Sequence, residues 1–185
     1  MKNTVIVAAL LSALVMFGLQ YGVLDAPAPP EPISVSIPTE SSIKEEVKIE
    51  RRAKAYQAAS RIAAQVYRRN GCGPTYAEAT GRVAVDYGLS PRILAALVFV
   101  ESSCNPNAMS DSSVGLTQVN AKVWKHSRKE LKNPEINLRI GAGILASNVH
   151  KYGLVKGLHA YNGFGDETDF YSNKILTAAG LSGNI

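Results

Sequence analysis

Glu101 follows ten residues, Pro91 to Val100, whose only charge is Arg92, and it precedes a segment rich in hydroxyls and amides. Ile93, Leu97 and Glu101 recur every fourth residue with Leu94 and Val98 beside them, which puts the carboxylate on the edge of an apolar helix face. There it is partly desolvated and close to the negative end of the helix dipole; both effects disfavour the anion and raise the pKa. Cleaving a glycosidic bond needs such an acid, still protonated near neutral pH, because the leaving oxygen must receive a proton. The position also fits a buried glutamate held by a base or a helix end.

Asn105-Pro106 stops this helix. Ser110, Asp111, Ser112, Ser113 and Gly115 then supply a flexible hydroxyl-rich loop, Gln118 and Asn120 follow it, and Tyr161 and Asn162 come much later. Sugar-binding surfaces use planar hydrogen-bonding groups and aromatic faces, and this collection offers both. Trp124, the one tryptophan, is read as packing, with sugar stacking as the alternative. His126, His150 and His159 have no ligand spacing with one another or with the cysteines, so no metal and no cofactor is expected, and His159 is read as a core or pocket-wall residue. The sequence has no phosphate-cradling glycine loop, Ser/His/Asp order or nucleic-acid module.

Taken in order, Glu101-Ser102, Asn105-Pro106, Ala108, Ser110, Gly115-Leu116 and Gln118 resemble the signature of soluble-lytic-transglycosylase-type enzymes of glycoside hydrolase family 23. The resemblance continues through Asn133-Pro134, Asn137, Gly141, Tyr152-Gly153 and Ala160-Tyr161-Asn162-Gly163, over roughly Tyr76 to Ala178. It implies a mainly α, lysozyme-like fold and cleavage of the β-1,4 MurNAc–GlcNAc bond of peptidoglycan. In such enzymes one glutamate protonates the leaving oxygen, then takes the proton of the MurNAc C6 hydroxyl as that oxygen closes a 1,6-anhydro ring. Water is not consumed, so no second catalytic carboxylate is needed, unlike in two-carboxylate glycosidases.

The resemblance makes Glu101 the acid and base, sets Ser110 and Gln118 along the sugar subsites, and makes Tyr161 the aromatic that closes on the glutamate. Asn162 is either a helix-turn residue shaping the pocket or a direct contact. Asn120 and Thr117 stand where many relatives carry methionine, and the run Ser112 to Gly115 is one residue shorter than usual. Asp111, about ten residues after Glu101, opens a second reading, a water-positioning carboxylate in a hydrolase like goose-type lysozyme, although local backbone hydrogen bonds explain an Asp in such a turn. A third reading is a non-catalytic wall-binding scaffold.

The elements that must position these residues read as helices. Ile43 to Asn70 carries Ala53, Tyr56, Ala59 or Ser60, Ala63, Val66 and Tyr67 at helical spacing, closed by Asn70-Gly71. Gly73-Pro74-Thr75 restarts a helix that runs to Asp86, and Ser90-Pro91 opens the next with Ser as N-cap. Asn133-Pro134 opens another, with Ile136, Ile140, Ile144, Leu145 and Val149 on one face; Gly141 and Gly143 inside it point to close approach of another backbone. Leu154 to Tyr161 and Asp169 to Ala179 complete the set, with an irregular hairpin near Ser110 to Val119. Cys72 and Cys104 are candidates for one disulfide, two free thiols or a redox pair.

From Ile43 onward the chain has 19 basic and 12 acidic residues, a net of +7, read chiefly as solvated faces and secondarily as a patch that attracts an anionic partner. Residues 43–185 form the expected catalytic domain and 25–42 a Pro/Ser-rich linker holding five of the nine prolines. Residues 1–24 read as a signal anchor: Val5 to Leu24 is uncharged, long enough to span a bilayer, and preceded by Lys2. A signal peptide cut near Ala26-Pro27-Ala28 is the alternative, disfavoured by the prolines beyond the cut. The expected location is therefore extracytoplasmic or periplasmic, tethered to the inner membrane. Peptidoglycan is the expected partner, and the setting, whether phage lysis or entry, a secretion or conjugation apparatus, or wall recycling, stays open.

Overall fold

The computed structural model describes residues 39–164 and 169–181; the segments read as anchor and as most of the linker lie outside them. The central element is α3 (Pro91–Ser102), in which Ile93 through Val98 are all at most 2% exposed. Six consecutive buried residues leave no solvent face, so this helix runs through the core rather than along it. It packs against α1 (Glu40–Arg69), α2 (Ala77–Asp86) and α7 (Phe170–Ala179). A single 3-10 turn, Pro74–Tyr76, precedes α2 and replaces the expected first turn of that helix.

Between α3 and the next long helix lie a two-stranded antiparallel hairpin, β1 (Ser113–Val114) with β2 (Val119–Asn120), and the short helix α4 (Arg128–Leu131). The helix α4 went unread in the sequence, because its evidence is one cap: Ser127 Oγ accepts from Glu130 N at 3.1 Å. Val114, Val119, Ala121, Leu131 and Ile144 form a small second core beneath this lobe. Helices α5 (Pro134–Tyr152) and α6 (Leu154–Tyr161) pack together, with α5 against α2 and α6 against α7.

Several expectations change in detail. Ala53 is exposed and the buried face of α1 begins at Ala59, because the first half of that helix projects past the core and leaves Ile43, Val47 and Ile49 in solvent. Ser90 sits at the N-cap of α3 with extended backbone but its hydroxyl makes no capping bond; Asn133 does cap α5, accepting from Glu135 N at 3.0 Å and Ile136 N at 3.2 Å. The buried face of α5 is centred on Asn137, Leu138, Gly141, Ala142 and Leu145, so Ile136 and Ile140 fall to its margin. At Gly141 and Gly143 the close neighbours are side chains, Thr117 and the Tyr87 ring, not another backbone. Cys72 and Cys104 are joined, with their Cα atoms 6.2 Å apart. Among the described residues no helix is long and apolar enough to cross a membrane.

Candidate active site

Helix α3 delivers Glu101 one residue before its end. Ser102 Oγ donates to Val98 O (2.9 Å) and lies 2.8 Å from Leu116 O, which pins the helix end to the loop 115–118. The helix stops in two successive left-handed residues, Ser103 (φ 51°) and Cys104 (φ 65°). That conformation costs a residue with a side chain on the order of 1 kcal/mol, and the disulfide to Cys72 holds it from the α1 side.

The loop is fixed from below by Asn137 of α5, which is wholly buried. Its Oδ1 accepts from Thr117 N at 2.8 Å and Thr117 Oγ1 at 2.7 Å; its Nδ2 donates to Val114 O at 2.7 Å and Leu131 O at 3.1 Å. All four bonding positions of the amide are filled. Gly115, at φ 83°, passes so close that a Cβ would strike this amide and the Leu131 carbonyl. Thr117 turns inward to Asn137 and lies against Gly141. Gln118 (φ 46°) spends its Nε2 on Ala108 O at 3.1 Å and Gly115 O at 2.9 Å, folding the loop on itself. Ser110 and Ser113 close the hairpin mouth: each backbone N–H is 3.0 Å from an oxygen of the other residue.

A groove of about 540 Å³ opens over Glu101, and Ser110, Gln118, Asn120, Tyr161 and Asn162 all line it, with Ser113, Val123, Trp124 and Asn148. The five expected binding residues are thus brought to one place. Tyr161 lines the groove with Glu101, and its hydroxyl donates to Thr117 O at 2.8 Å and so holds the loop. Tyr171 of α7 donates to Glu101 Oε1. Tyr171 does not stand out in the sequence: its only signal is a polar-tipped aromatic heading the buried face continued by Ile175 and Ala179, a pattern that ordinarily means core.

Burial is the main cause that raises the Glu101 pKa above the usual carboxyl value; the Tyr171 hydrogen bond and the charge of Lys174 act in the opposite sense. Tyr161 and Tyr171 are both pushed up, first by burial and then by the nearby glutamate, so both stay protonated donors at any physiological pH. Asn120 spends its side chain on its own turn, accepting from Lys122 N and Val123 N at 3.1 Å each. Asn162 ends α6 as its C-cap residue. Asp111 is exposed and does not line the groove; its backbone oxygen accepts from Arg128. His159 packs on Phe164, with ring centroids 5.6 Å apart, and lies outside the groove wall.

The chain matches one family model and is similar to three relatives. The model of the family described as "Transglycosylase SLT domain" matches residues 78–174. The chain is 38% identical over 87 residues to the Endo-type membrane-bound lytic murein transglycosylase A of Cronobacter sakazakii, covering 40% of this chain and 42% of that protein. The protein of the same name from Enterobacter is 38% identical over 85 residues (39% and 41% covered), and that from Citrobacter koseri 35% over 86 residues (40% and 41%). The match spans about two fifths of the length of these relatives, and the residues the family model matches include those that line the groove.

Proposed function

The chain belongs to the transglycosylase SLT domain family, and from that premise we propose that it cleaves peptidoglycan glycan strands at the β-1,4 MurNAc–GlcNAc bond without water, leaving 1,6-anhydro-MurNAc ends. The observation that carries this reading is that Glu101, its pKa raised by burial, is the one carboxylic acid among the described residues lining the groove. A single acid can perform both halves of a non-hydrolytic cleavage, whereas a hydrolase of the two-carboxylate type needs a second one within reach. That Asp111 is exposed and does not line the groove supports the single-acid reading.

Protonated Glu101 donates its proton to the glycosidic oxygen as the bond to the anomeric carbon breaks, and the GlcNAc side leaves as an alcohol. The resulting carboxylate takes the proton of the C6 hydroxyl while O6 bonds the same carbon, which regenerates the acid. Tyr171 donates to the carboxylate and favours the anion formed between the two transfers, while burial favours the acid at either end. Ser110, Gln118, Asn120, Tyr161 and Asn162 shape the groove, and residues 1–24 tether the domain on the outer side of the inner membrane. The relatives' description as membrane-bound supports the tether.

Digestion of purified sacculi followed by mass spectrometry tests the reaction. Anhydro-muropeptides are expected, and reducing-end MurNAc as the main product would overturn the non-hydrolytic reading. Glu101→Gln keeps the side chain's shape and removes its proton, so it should abolish digestion; clearing at the wild-type rate would remove Glu101 from the chemistry.

A further inference from the structure

Trp124 is the chain's only tryptophan, and it is 46% exposed with Val123 beside it at 66%. Packing, the first reading of this residue, does not account for such a position. Both side chains line the groove that holds Glu101. A large apolar side chain left open forgoes much of the roughly 1.5–3 kcal/mol that burial would contribute, so its place here does little for the fold.

The turn that displays it is nevertheless firmly built. Asn120 Oδ1 accepts from Lys122 N and Val123 N, and Asn120 O accepts from Trp124 N, each at 3.1 Å. His126 N donates to Ala121 O at 3.1 Å, and Lys125 adopts the left-handed conformation at φ 55° to complete the turn. Beneath it Val119 and Ala121 anchor in the second core. An ordered pedestal thus presents an indole to a groove whose other lining groups include the amide of Asn148. An aromatic face bordered by amides suits a pyranose ring, whose C–H face packs on the indole while its hydroxyl and N-acetyl groups bond the polar rim.

We propose that Val123 and Trp124, with Asn148 of α5, form a further subsite for an N-acetylated pyranose of a glycan strand, and that Asn120 is a positioning residue which sets the indole rather than touching the sugar. This rests on the glycan-cleaving reading of the groove and adds a contact that rewards longer strands.

Because Trp124 is the only tryptophan, intrinsic fluorescence reports this subsite directly. The full chain carrying Glu101→Gln is titrated with peptide-free N-acetylglucosamine oligomers of increasing length, followed in parallel by calorimetry. The expected result is a saturable emission change whose dissociation constant tightens with oligomer length. Adding Trp124→Ala should weaken binding of the long oligomer about tenfold, and Trp124→Phe should recover most of it. Asn120→Ala should weaken binding as well, and combining it with Trp124→Ala should cost nothing further; additive losses would overturn the positioning role. Unchanged emission where calorimetry reaches saturation, or full affinity without the indole, overturns the subsite and leaves the glycan-cleaving reading standing. If calorimetry detects no oligomer and the wild-type chain releases nothing from sacculi, the glycan-cleaving reading itself fails and takes the subsite with it.

Discussion

Glu101 must begin the proposed reaction as an acid and become an anion midway, and two opposed influences bear on that balance. Burial holds the proton on; the Tyr171 hydroxyl draws it off by donating to the anion. A hydrogen bond donated to a charged group favours the charged form, here the anion. Tyr171→Phe removes that preference, so the Glu101 pKa should rise further. Since in the proposed reaction the free enzyme acts with Glu101 protonated, the alkaline limb of the kcat/KM profile should move to higher pH, while kcat falls because the carboxylate loses its orienting partner. The pH profile of sacculus digestion checks this. A variant that is merely slower, with its alkaline limb in place, would show Tyr171 to be packing. At this scale the chemistry was legible in the sequence to the extent that it depended on local order: the spacing of Ile93, Leu97 and Glu101 announced the half-buried acid. The partner was not legible, because Tyr171 stands 70 residues away on a helix whose pattern says only that one face is buried.

The loop between α3 and α5 takes four of its hydrogen bonds from one side chain. Asn137 joins β1, the loop residue Thr117 and the end of α4, and Tyr161 closes the same loop from α6 by bonding the Thr117 carbonyl. Truncation to alanine would leave the Thr117 N–H and two carbonyls buried without these partners, each such loss costing about 1–3 kcal/mol, while the Thr117 hydroxyl keeps the backbone carbonyl of residue 137. Partial relaxation will recover some of it, so Asn137→Ala should destabilise the domain by about 3 kcal/mol or more. Denaturant unfolding checks this as a lowered midpoint with an unchanged slope; a midpoint within experimental error of wild type would mean the loop is held by other contacts. Helix limits were readable because Pro91, Asn133-Pro134 and the glycines after α1 and α7 act within a few residues of sequence. The lobe was not. An asparagine inside an apolar stripe looks like an interruption, so the spacing points to Ile136 and Ile140 although the buried face runs through Asn137 and Gly141.

Across the whole molecule the positive charge is distributed in two ways. Where α1, α2 and α5 meet, arginines are paired: Arg52 and Arg139 with Asp86, at 2.8 and 3.3 Å, and Arg82 and Arg139 with Glu135. The lobe beside the groove is different, for Lys122, Lys125, Arg128, Lys129 and Lys132 are all exposed and Glu130 is the one acid among residues 120–132. Among the described residues the four lysines make no ion pair, while Arg128 bonds the Ser110 and Asp111 carbonyls at the groove's mouth. Exposed, uncompensated charge of one sign beside a cleft raises the local concentration of an oppositely charged ligand, and salt screens it over a Debye length of about 8 Å at physiological ionic strength. The stem peptides of the proposed substrate carry free carboxylates, so the lobe is placed to draw the strand toward the groove. Binding of the Glu101→Gln chain to sacculi should therefore weaken roughly three- to tenfold as salt rises from about 50 to about 300 mM. The triple variant Lys122→Ala, Lys125→Ala, Lys129→Ala should bind more weakly at low salt and lose most of that dependence. The matching variant of Lys44, Lys48 and Lys54, which already pair with Glu40, Glu45 and Glu50 along α1, should keep it. Equal salt dependence in both triple variants would mean that net charge, rather than the lobe beside the groove, governs approach to the wall.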